Sequence, residues 1–187
     1  AGLSFDKRRS TLEFDTERSR WWSVSTAYEV GTDINRKPPR GQLPRLVDRR
    51  SSEVGASFRP GRHLVVSSTY LRTQLLRQEA TEGDRTVLDN QILRSKVYVH
   101  VTRALSLRAI FDYERVAPNP AASAVAREQP VSVDLLGSFE LNPGTAVFVG
   151  YVDRLEPKGF TDRIPAFPAM ESVGRQAFVK VSWLLRY

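Results

Sequence analysis

Residues 176–187 read QAFVKVSWLLRY. Every second residue from Ala177 onward is apolar or aromatic, and most of the residues between them are polar. Alternation with a period of two over more than ten residues indicates a β-strand with two different faces. An ordinary strand has about 5–6 residues, whereas crossing a bilayer at a tilt takes about 9–11. The length of this stretch therefore favours a strand that spans a membrane.

The same alternation recurs along the chain, without an amphipathic helical pattern between the repeats. The candidate strands are 11–16, 21–31, 51–59, 63–77, 87–102, 105–115, 130–141, 145–155 and 175–187. The connections alternate between tight turns, such as Pro60-Gly61-Arg62, and long loops near 32–50, 78–86, 116–129 and 156–174. Tight turns at one end and long loops at the other are typical of outer-membrane barrels. We therefore predict an all-β, antiparallel, transmembrane up-and-down β-barrel of about 8–10 strands, as one domain over 1–187.

Assigning residues to faces by this alternation separates the charges from an uncharged face. A charged side chain against lipid costs about 2–4 kcal/mol at the midplane for Lys or Arg, so a lipid-facing surface requires such a separation. In the last strand the predicted lipid-facing residues are Val179, Val181, Trp183, Leu185 and Tyr187. The predicted lumen-lining residues on the opposite face are Lys96, His100, Arg108, Asp112, Glu114, Asp134, Glu140, Lys180 and Arg186.

Periodicity alone leaves a second fold open, because a soluble β-sandwich or barrel that binds a ligand also has one apolar and one polar face. In that fold the apolar face would form a core. The positions of the aromatic residues favour lipid, since they cluster near strand ends as interfacial girdles do. These residues are Trp22, Tyr28, Tyr70, Tyr113, Tyr151, Trp183 and Tyr187.

The net charge of +7, from 28 basic and 21 acidic residues, suggests a nucleic-acid partner at first sight. Nucleic-acid binding requires a basic face with interleaved aromatics, but the charged face has eight acids and five bases. We therefore predict no nucleic-acid partner. The basic excess lies in loops, above all in 32–50. Its basic residues Arg36, Lys37, Arg40, Arg45, Arg49 and Arg50 form a predicted extracellular loop that either contacts the phosphates of lipopolysaccharide or is solvated.

Candidate catalytic chemistry is sparse. The chain has two histidines and no cysteine, so we predict no metal, no cofactor and no catalytic residue. An outer-membrane lipid-modifying enzyme remains an alternative, with His100 paired to Ser106, Ser132 or Glu140 as in hydrolase triads. The face of His100 argues against it, because such triads face lipid. The charges predicted to face inward suit either a pore or ligand-binding lumen or a ladder of cross-strand ion pairs.

Three segments resemble the C-terminal barrel of a bacterial family of unknown function, DUF5916. They are 105–113 (LSLRAIFDY), 140–151 (ELNPGTAVFVGY) and 174–187 (GRQAFVKVSWLLRY). The resemblance implies a protein of the bacterial outer membrane. It also implies a link to glycan binding or uptake, because members of that family carry an N-terminal domain similar to carbohydrate-binding family 9. It implies no catalytic residue.

Nine strands are one short of the even number that bacterial single-chain barrels use. We therefore predict the C-terminal part of a larger barrel, whose other strands belong to this protein or to another chain. The alternative is a self-contained eight-stranded barrel in which one of the nine stretches, above all 11–16, is not a strand. The aromatic final strand, 175–187, predicts contact with the barrel-insertion machinery. The predicted role is a scaffold or passage across the outer membrane.

Overall fold

The computed structural model describes residues 5–78, 85–142, 144–159 and 169–183. Within these ranges the regular structure consists of nine β-strands and no helix. The strands are β1 Arg9–Ser19, β2 Trp22–Asn35, β3 Arg45–Phe58, β4 Leu64–Leu76, β5 Thr86–His100, β6 Leu105–Pro118, β7 Val131–Asn142, β8 Thr145–Pro157 and β9 Met170–Trp183. The predicted all-β composition is thus confirmed. The alternative without a strand at 11–16 is wrong, because β1 covers that stretch.

All nine described strands form one antiparallel sheet in chain order, so each strand pairs with the next. This is the predicted up-and-down arrangement. The sheet is open, because β1 pairs only with β2, and β9 pairs only with β8, within the described part of the chain. Strand direction alternates at every step, so β1 and β9 run in the same direction.

The turns at one end of the sheet are short and the loops at the other end are long. Two to five residues join β1 to β2, β3 to β4, β5 to β6 and β7 to β8, whereas nine to twelve residues make the other four connections. Gly144, in the β7–β8 turn, has φ of 101°. That backbone conformation favours glycine because it lacks a Cβ atom.

Several strands extend further than predicted, mostly at the end with the long loops, although β1 also gains residues 17–19 at the short-turn end. The predicted loop 32–50 shrinks to 36–44, and Arg45, Arg49 and Arg50 lie on β3 instead. The loops predicted at 116–129 and 156–174 are shortened in the same way by β6, β8 and β9. Apolar alternation marks only part of each strand. The backbone hydrogen bonds that continue the sheet do not require apolar side chains.

The buried apolar residues lie at the long-loop end. Among the described residues, the buried apolar side chains are Val47, Leu76, Val87 and Ala122. Val47, Val87 and Ala122 pack together, with Leu75 against them. Ala122 belongs to the β6–β7 loop, so this small core forms where that loop lies over the sheet. No second sheet covers either face within the described ranges.

Candidate membrane-facing surface and lumenal face

Strand register assembles the predicted uncharged face into one continuous surface. Paired residues of antiparallel strands point to the same side of a sheet. One such row of pairs runs across eight strands through Trp22, Phe58, Val66, Val97, Ala109, Leu135, Tyr151 and Ala177. We call this side of the sheet the apolar face and the opposite side the polar face. The face assignment made from alternation agrees with every register in this row.

The apolar face is exposed even in the middle of the sheet. Leu135 on β7 is 45% exposed and Val149 on β8 is 55% exposed, although both strands have neighbours on each side. On β9 the predicted lipid-facing residues Val179, Val181 and Trp183 are exposed as well. Leu185 and Tyr187 lie outside the described residues. Polar-face positions such as Ser51 and Gly150 are buried instead, which is the reverse of a sheet whose apolar face forms a core.

The tyrosines of the apolar face are displaced from the rows of paired residues by two, zero and four residues in turn. On β4, the residue in the same row of pairs as Tyr28 of β2 is Arg72, which lies two residues beyond Tyr70 toward the long loops. The row of Tyr70 meets Tyr113 on β6 directly. The row of Tyr113 reaches β8 four residues past Tyr151, at Leu155. The tyrosines thus shift by six residues over six strand steps, always toward the short-turn end.

The tryptophans at the short-turn end shift in the same direction. The row that starts at Trp22 on β2 reaches Ala177 on β9, and Trp183 lies six residues beyond it. This is a shift of six residues over seven strand steps. The Trp level and the Tyr level therefore run nearly parallel to each other and oblique to the rows of paired residues. We call the part of the sheet between them the band.

Past the tyrosines, toward the long loops, the same face carries charges that the sequence analysis placed in loops or did not assign. We call this part of the sheet the extension. Arg72 on β4 donates two hydrogen bonds to Asp89 on β5, at 3.0 and 2.9 Å. Arg175 on β9 donates to Asp153 on β8 at 3.1 Å. The apolar face is therefore free of charge within the band and ion-paired in the extension.

The predicted lumen-lining residues lie together on the polar face. Register places eight of them there: Lys96, His100, Arg108, Asp112, Glu114, Asp134, Glu140 and Lys180. Arg186 lies outside the described residues. Arg108 donates to Asp134 at 3.3 Å. Asp112 accepts two hydrogen bonds from Arg94, a residue that the sequence analysis missed although its alternation places it on this face.

The arrangement around His100 does not build a triad. Ser106 lies directly opposite His100 in the β5–β6 register, but its hydroxyl oxygen lies 2.6 Å from that of Ser138. The hydroxyl of Ser138 is not a base that could activate Ser106 as a nucleophile. The backbone of His100 bonds to His63 at the adjacent turn. Within the described ranges, no group of three His, Cys, Asp or Glu residues is placed to hold a metal ion.

Small residues leave a groove on the polar face of β1–β4, near the short turns, and Asp15 and Glu17 of β1 also line it. Its volume is about 530 Å³, and alternation could have revealed it, because Ser, Gly and Thr recur at every second position. The lining residues on this face include Ser23, Ser25, Gly55, Ser57, Ser67 and Thr69. A Cβ atom at Gly55 would lie 2.5 Å from the Ser25 hydroxyl oxygen. The Ser25 hydroxyl therefore occupies the space that a side chain at position 55 would need.

An ion-pair network joins β2, β3 and the segment just before β1 at the long-loop end of the polar face. Arg49 lies 3.1 Å from Glu29 and 3.7 Å from Asp33, and Lys7 bonds to Asp33 at 2.5 Å. Arg49 was predicted to be a free loop cation, but it belongs to this network. Partial burial alone would raise the pKa of Asp33, but the hydrogen bonds from Lys7 and the Ile34 amide, with the charges of Lys7 and Arg49, outweigh it and lower that pKa.

The remaining predicted loop cations divide between two places. Arg36, Lys37 and Arg40 lie in the β2–β3 loop as predicted. Arg50 lies on the apolar face, opposite Val30 and past Tyr28, and is exposed. Arg45, opposite Asn35 at the start of β3, is also exposed.

No family model, curated protein or solved structure matches this chain. The described residues contain no helix long and apolar enough to cross a membrane.

Proposed function

We propose that this chain is the membrane-embedded part of a bacterial outer-membrane β-barrel, acting as a scaffold or passage across that membrane. The observation that carries the proposal is the exposed apolar face, which is uncharged throughout the band and lies opposite a face with charges and small polar residues. Water disfavours such a continuous apolar surface. Lipid requires it.

The aromatic shift supports the proposal through strand tilt. If the four tyrosines lie at one depth, a shift of six residues over six strands, at about 3.3 Å per residue and about 4.8 Å per strand, gives a tilt of about 35°. Membrane barrels tilt their strands by about 35–45°. A soluble sheet has no reason to keep its aromatic residues at a constant depth under such a tilt.

The length of the charge-free stretch supports the same assignment. On the apolar face of β6, positions Leu105 to Tyr113 are uncharged, and Arg103 and Arg115 stand on either side in the alternation. Arg103 lies in the turn before β6, so the strand itself covers the ten residue steps from Leu105 to Arg115, about 33 Å. At a tilt of about 35° this becomes about 27 Å, close to the hydrocarbon thickness of about 30 Å.

The open edges support a barrel with further strands. β1 and β9 run in the same direction, so direct closure of this sheet would pair them in parallel. Closure by antiparallel pairs, as in bacterial barrels, requires an odd number of additional strands, from the same protein or another chain. Leu12 on β1 and Val179 on β9 are more exposed than the apolar residues of inner strands, as expected where a neighbour is absent.

The proposed partners follow from where the exposed cations lie relative to the tyrosine level. The exposed Arg50 and the loop cations Arg36, Lys37 and Arg40 lie past the tyrosine level, where lipopolysaccharide phosphates are the nearest anions. The final strand would be bound by the barrel-insertion machinery. The link to glycans rests on the family resemblance alone.

The test compares arginine on the two faces within the band. Val149→Arg places a charge on the apolar face, and Ser67→Arg places the same charge beside the groove of the polar face. We expect Val149→Arg to abolish heat-modifiable gel mobility of the full-length protein in outer-membrane fractions, and Ser67→Arg to preserve it. A protein that is monomeric in buffer without detergent, or one that tolerates both variants equally, would contradict the proposal.

A further inference from the structure

The β6–β7 loop folds back on itself directly after β6. The amides of Ala122 and Ser123 both donate to the Asn119 carbonyl at 2.9 Å, and the Ala121 amide donates to the Asn119 side chain at 3.0 Å. Asn119 is itself held at the sheet, where its amide donates to the Val87 carbonyl at 3.0 Å. The loop returns at Glu128, which pairs with Val116 on β6. Residues 119–125, which we call the latch, are therefore an ordered turn.

The latch docks on the polar face. Ala122 is completely buried against Val47, a β3 residue opposite Asp33 on that face, and against Val87. The Asn35 side chain, 4% exposed, donates to the Ala122 carbonyl at 2.8 Å. Its oxygen accepts from the Lys37 amide at 3.2 Å. Both polar atoms of the Asn35 side chain are therefore hydrogen-bonded, the nitrogen to the latch and the oxygen to the β2–β3 loop.

A second contact ties the latch to the β2–β3 loop. The Ala124 amide donates to the Lys37 carbonyl at 2.8 Å, and the Ser123 hydroxyl reaches the same carbonyl at 3.4 Å. In the sheet, β2 and β6 are four strand spacings apart, about 19 Å if the sheet were flat. The latch therefore reaches from β6 across β5, β4 and β3 to the end of β2, over the polar face.

The geometry points to the latch as the closure of this end of the lumen, so that passage of solutes depends on its release from Asn35. This inference rests on the proposed function, in which the polar face lines the lumen. The groove on the polar face of β1–β4 lies near the short turns. The latch packs on β3, β4 and β5 and bonds to the end of β2, at the opposite end of the sheet. The latch and the groove therefore lie at opposite ends of the same face.

The chemistry of the contact suits a reversible closure. The docked apolar surface is small, since Ala122 is its buried side chain, and the remaining contacts are hydrogen bonds that water can replace. Removing the hydrogen bond donated by Asn35 shifts the balance between docked and released states by about fivefold, the usual net effect of one such bond. Passage limited by the released fraction increases by the same factor.

The experiment measures entry of the uncharged tetrasaccharide stachyose into liposomes that contain the full-length protein. We expect Asn35→Ala to increase the entry rate about fivefold. Asn142→Ala, at the short-turn end of β7, is the matched control and leaves the rate unchanged. Because the chain has no cysteine, a Val47→Cys, Ala122→Cys pair can lock the latch cleanly. Oxidation of this pair in the Asn35→Ala background should restore the slow rate.

Each other outcome overturns the inference. Equal rates for wild type and Asn35→Ala, a gain that persists when the latch is locked, or failure of the cysteine pair to form a disulfide would each exclude the latch as the closure. Heat-modifiable mobility is measured on the same samples. Its loss in the wild type would refute the proposed membrane location, whereas normal mobility with unchanged permeability would refute the latch alone.

Discussion

The band and the extension lie on the same strands but differ in which faces carry charged side chains. In the band, charge is confined to the polar face, as Leu135 and its opposite-facing neighbour Asp134 show. In the extension both faces carry charge, with Arg72–Asp89 on the apolar face and the Arg49–Glu29 pair on the polar face. The backbone ladder runs through both regions, with one register shift in the extension, at Leu75 and Leu76 of β4. Under the proposed membrane location, this difference corresponds to a change of solvent along the strand, from lipid to water.

The largest expected effect comes from moving a charge into the band. Leu135→Arg should destabilise the folded protein in lipid by about 2–4 kcal/mol, because the guanidinium would face hydrocarbon. Gln91→Arg, on the same face but in the extension, should change stability by less than about 0.5 kcal/mol. Urea unfolding of full-length protein in lipid vesicles measures both. Equal effects would remove the distinction between the two regions.

A second test probes packing on the polar face within the band. A Cβ atom at Gly150 on β8 would overlap the ring of Phe178 on β9. We therefore expect Gly150→Val to cost about 1–3 kcal/mol by overpacking. Gly174→Val, in the extension of β9 where a Cβ would meet nothing within 4 Å, is the control. If Phe178→Ala does not reduce the cost of Gly150→Val, this ring contact is not its cause.

An ion pair in the extension should matter far less. Asp89→Asn removes the charge that accepts two hydrogen bonds from Arg72, and the side chains of Arg72 and Asp89 are 42% and 17% exposed. Ion pairs that water screens contribute about 0–1 kcal/mol, so we expect a loss at the upper end of that range. The same unfolding assay measures it, with and without added salt. A loss as large as that of Leu135→Arg would mean that the extension is not in water.

The smallest expected effect is the pH dependence contributed by Asp33. Burial alone would raise the pKa of Asp33. The hydrogen bond from Lys7, with the other contacts of the network, outweighs burial, so the pKa is lowered in the folded protein. The resulting stabilisation is present above the ordinary pKa of the carboxyl and is lost as the pH falls through the lowered value. Lys7→Ala should flatten the acid limb of the stability curve. An unchanged acid limb would show that Lys7 does not hold this pKa.

Local patterning was sufficient for the strands and their faces. Period-two alternation placed Val179 and Lys180 on opposite faces of the sheet, and the register agrees with that assignment. Alternation is a local property, because successive side chains of any strand point to opposite sides. It failed at Arg45, Arg49 and Arg50, where strands continue without apolar side chains and the hydrophobic signal disappears.

Other features of the site required pairing between distant residues. The partnership of Arg94 with Asp112 depends on the β5–β6 register, which no single strand encodes. The closeness of Asn35 and Ala122, 87 residues apart, follows from the path of one loop over four strands. Neither residue carries charge or belongs to a motif, so no local signal distinguishes them.

By itself the sequence determined an all-β chain whose strands separate an uncharged face from a charged one, because side-chain polarity and period-two geometry are both local. Only the tertiary structure decided that the apolar face stays exposed, that the aromatic levels run obliquely across the rows of paired residues, and that the latch covers the polar face. Those features depend on register between strands and on how one loop crosses them. They are set by backbone pairing over long sequence separations.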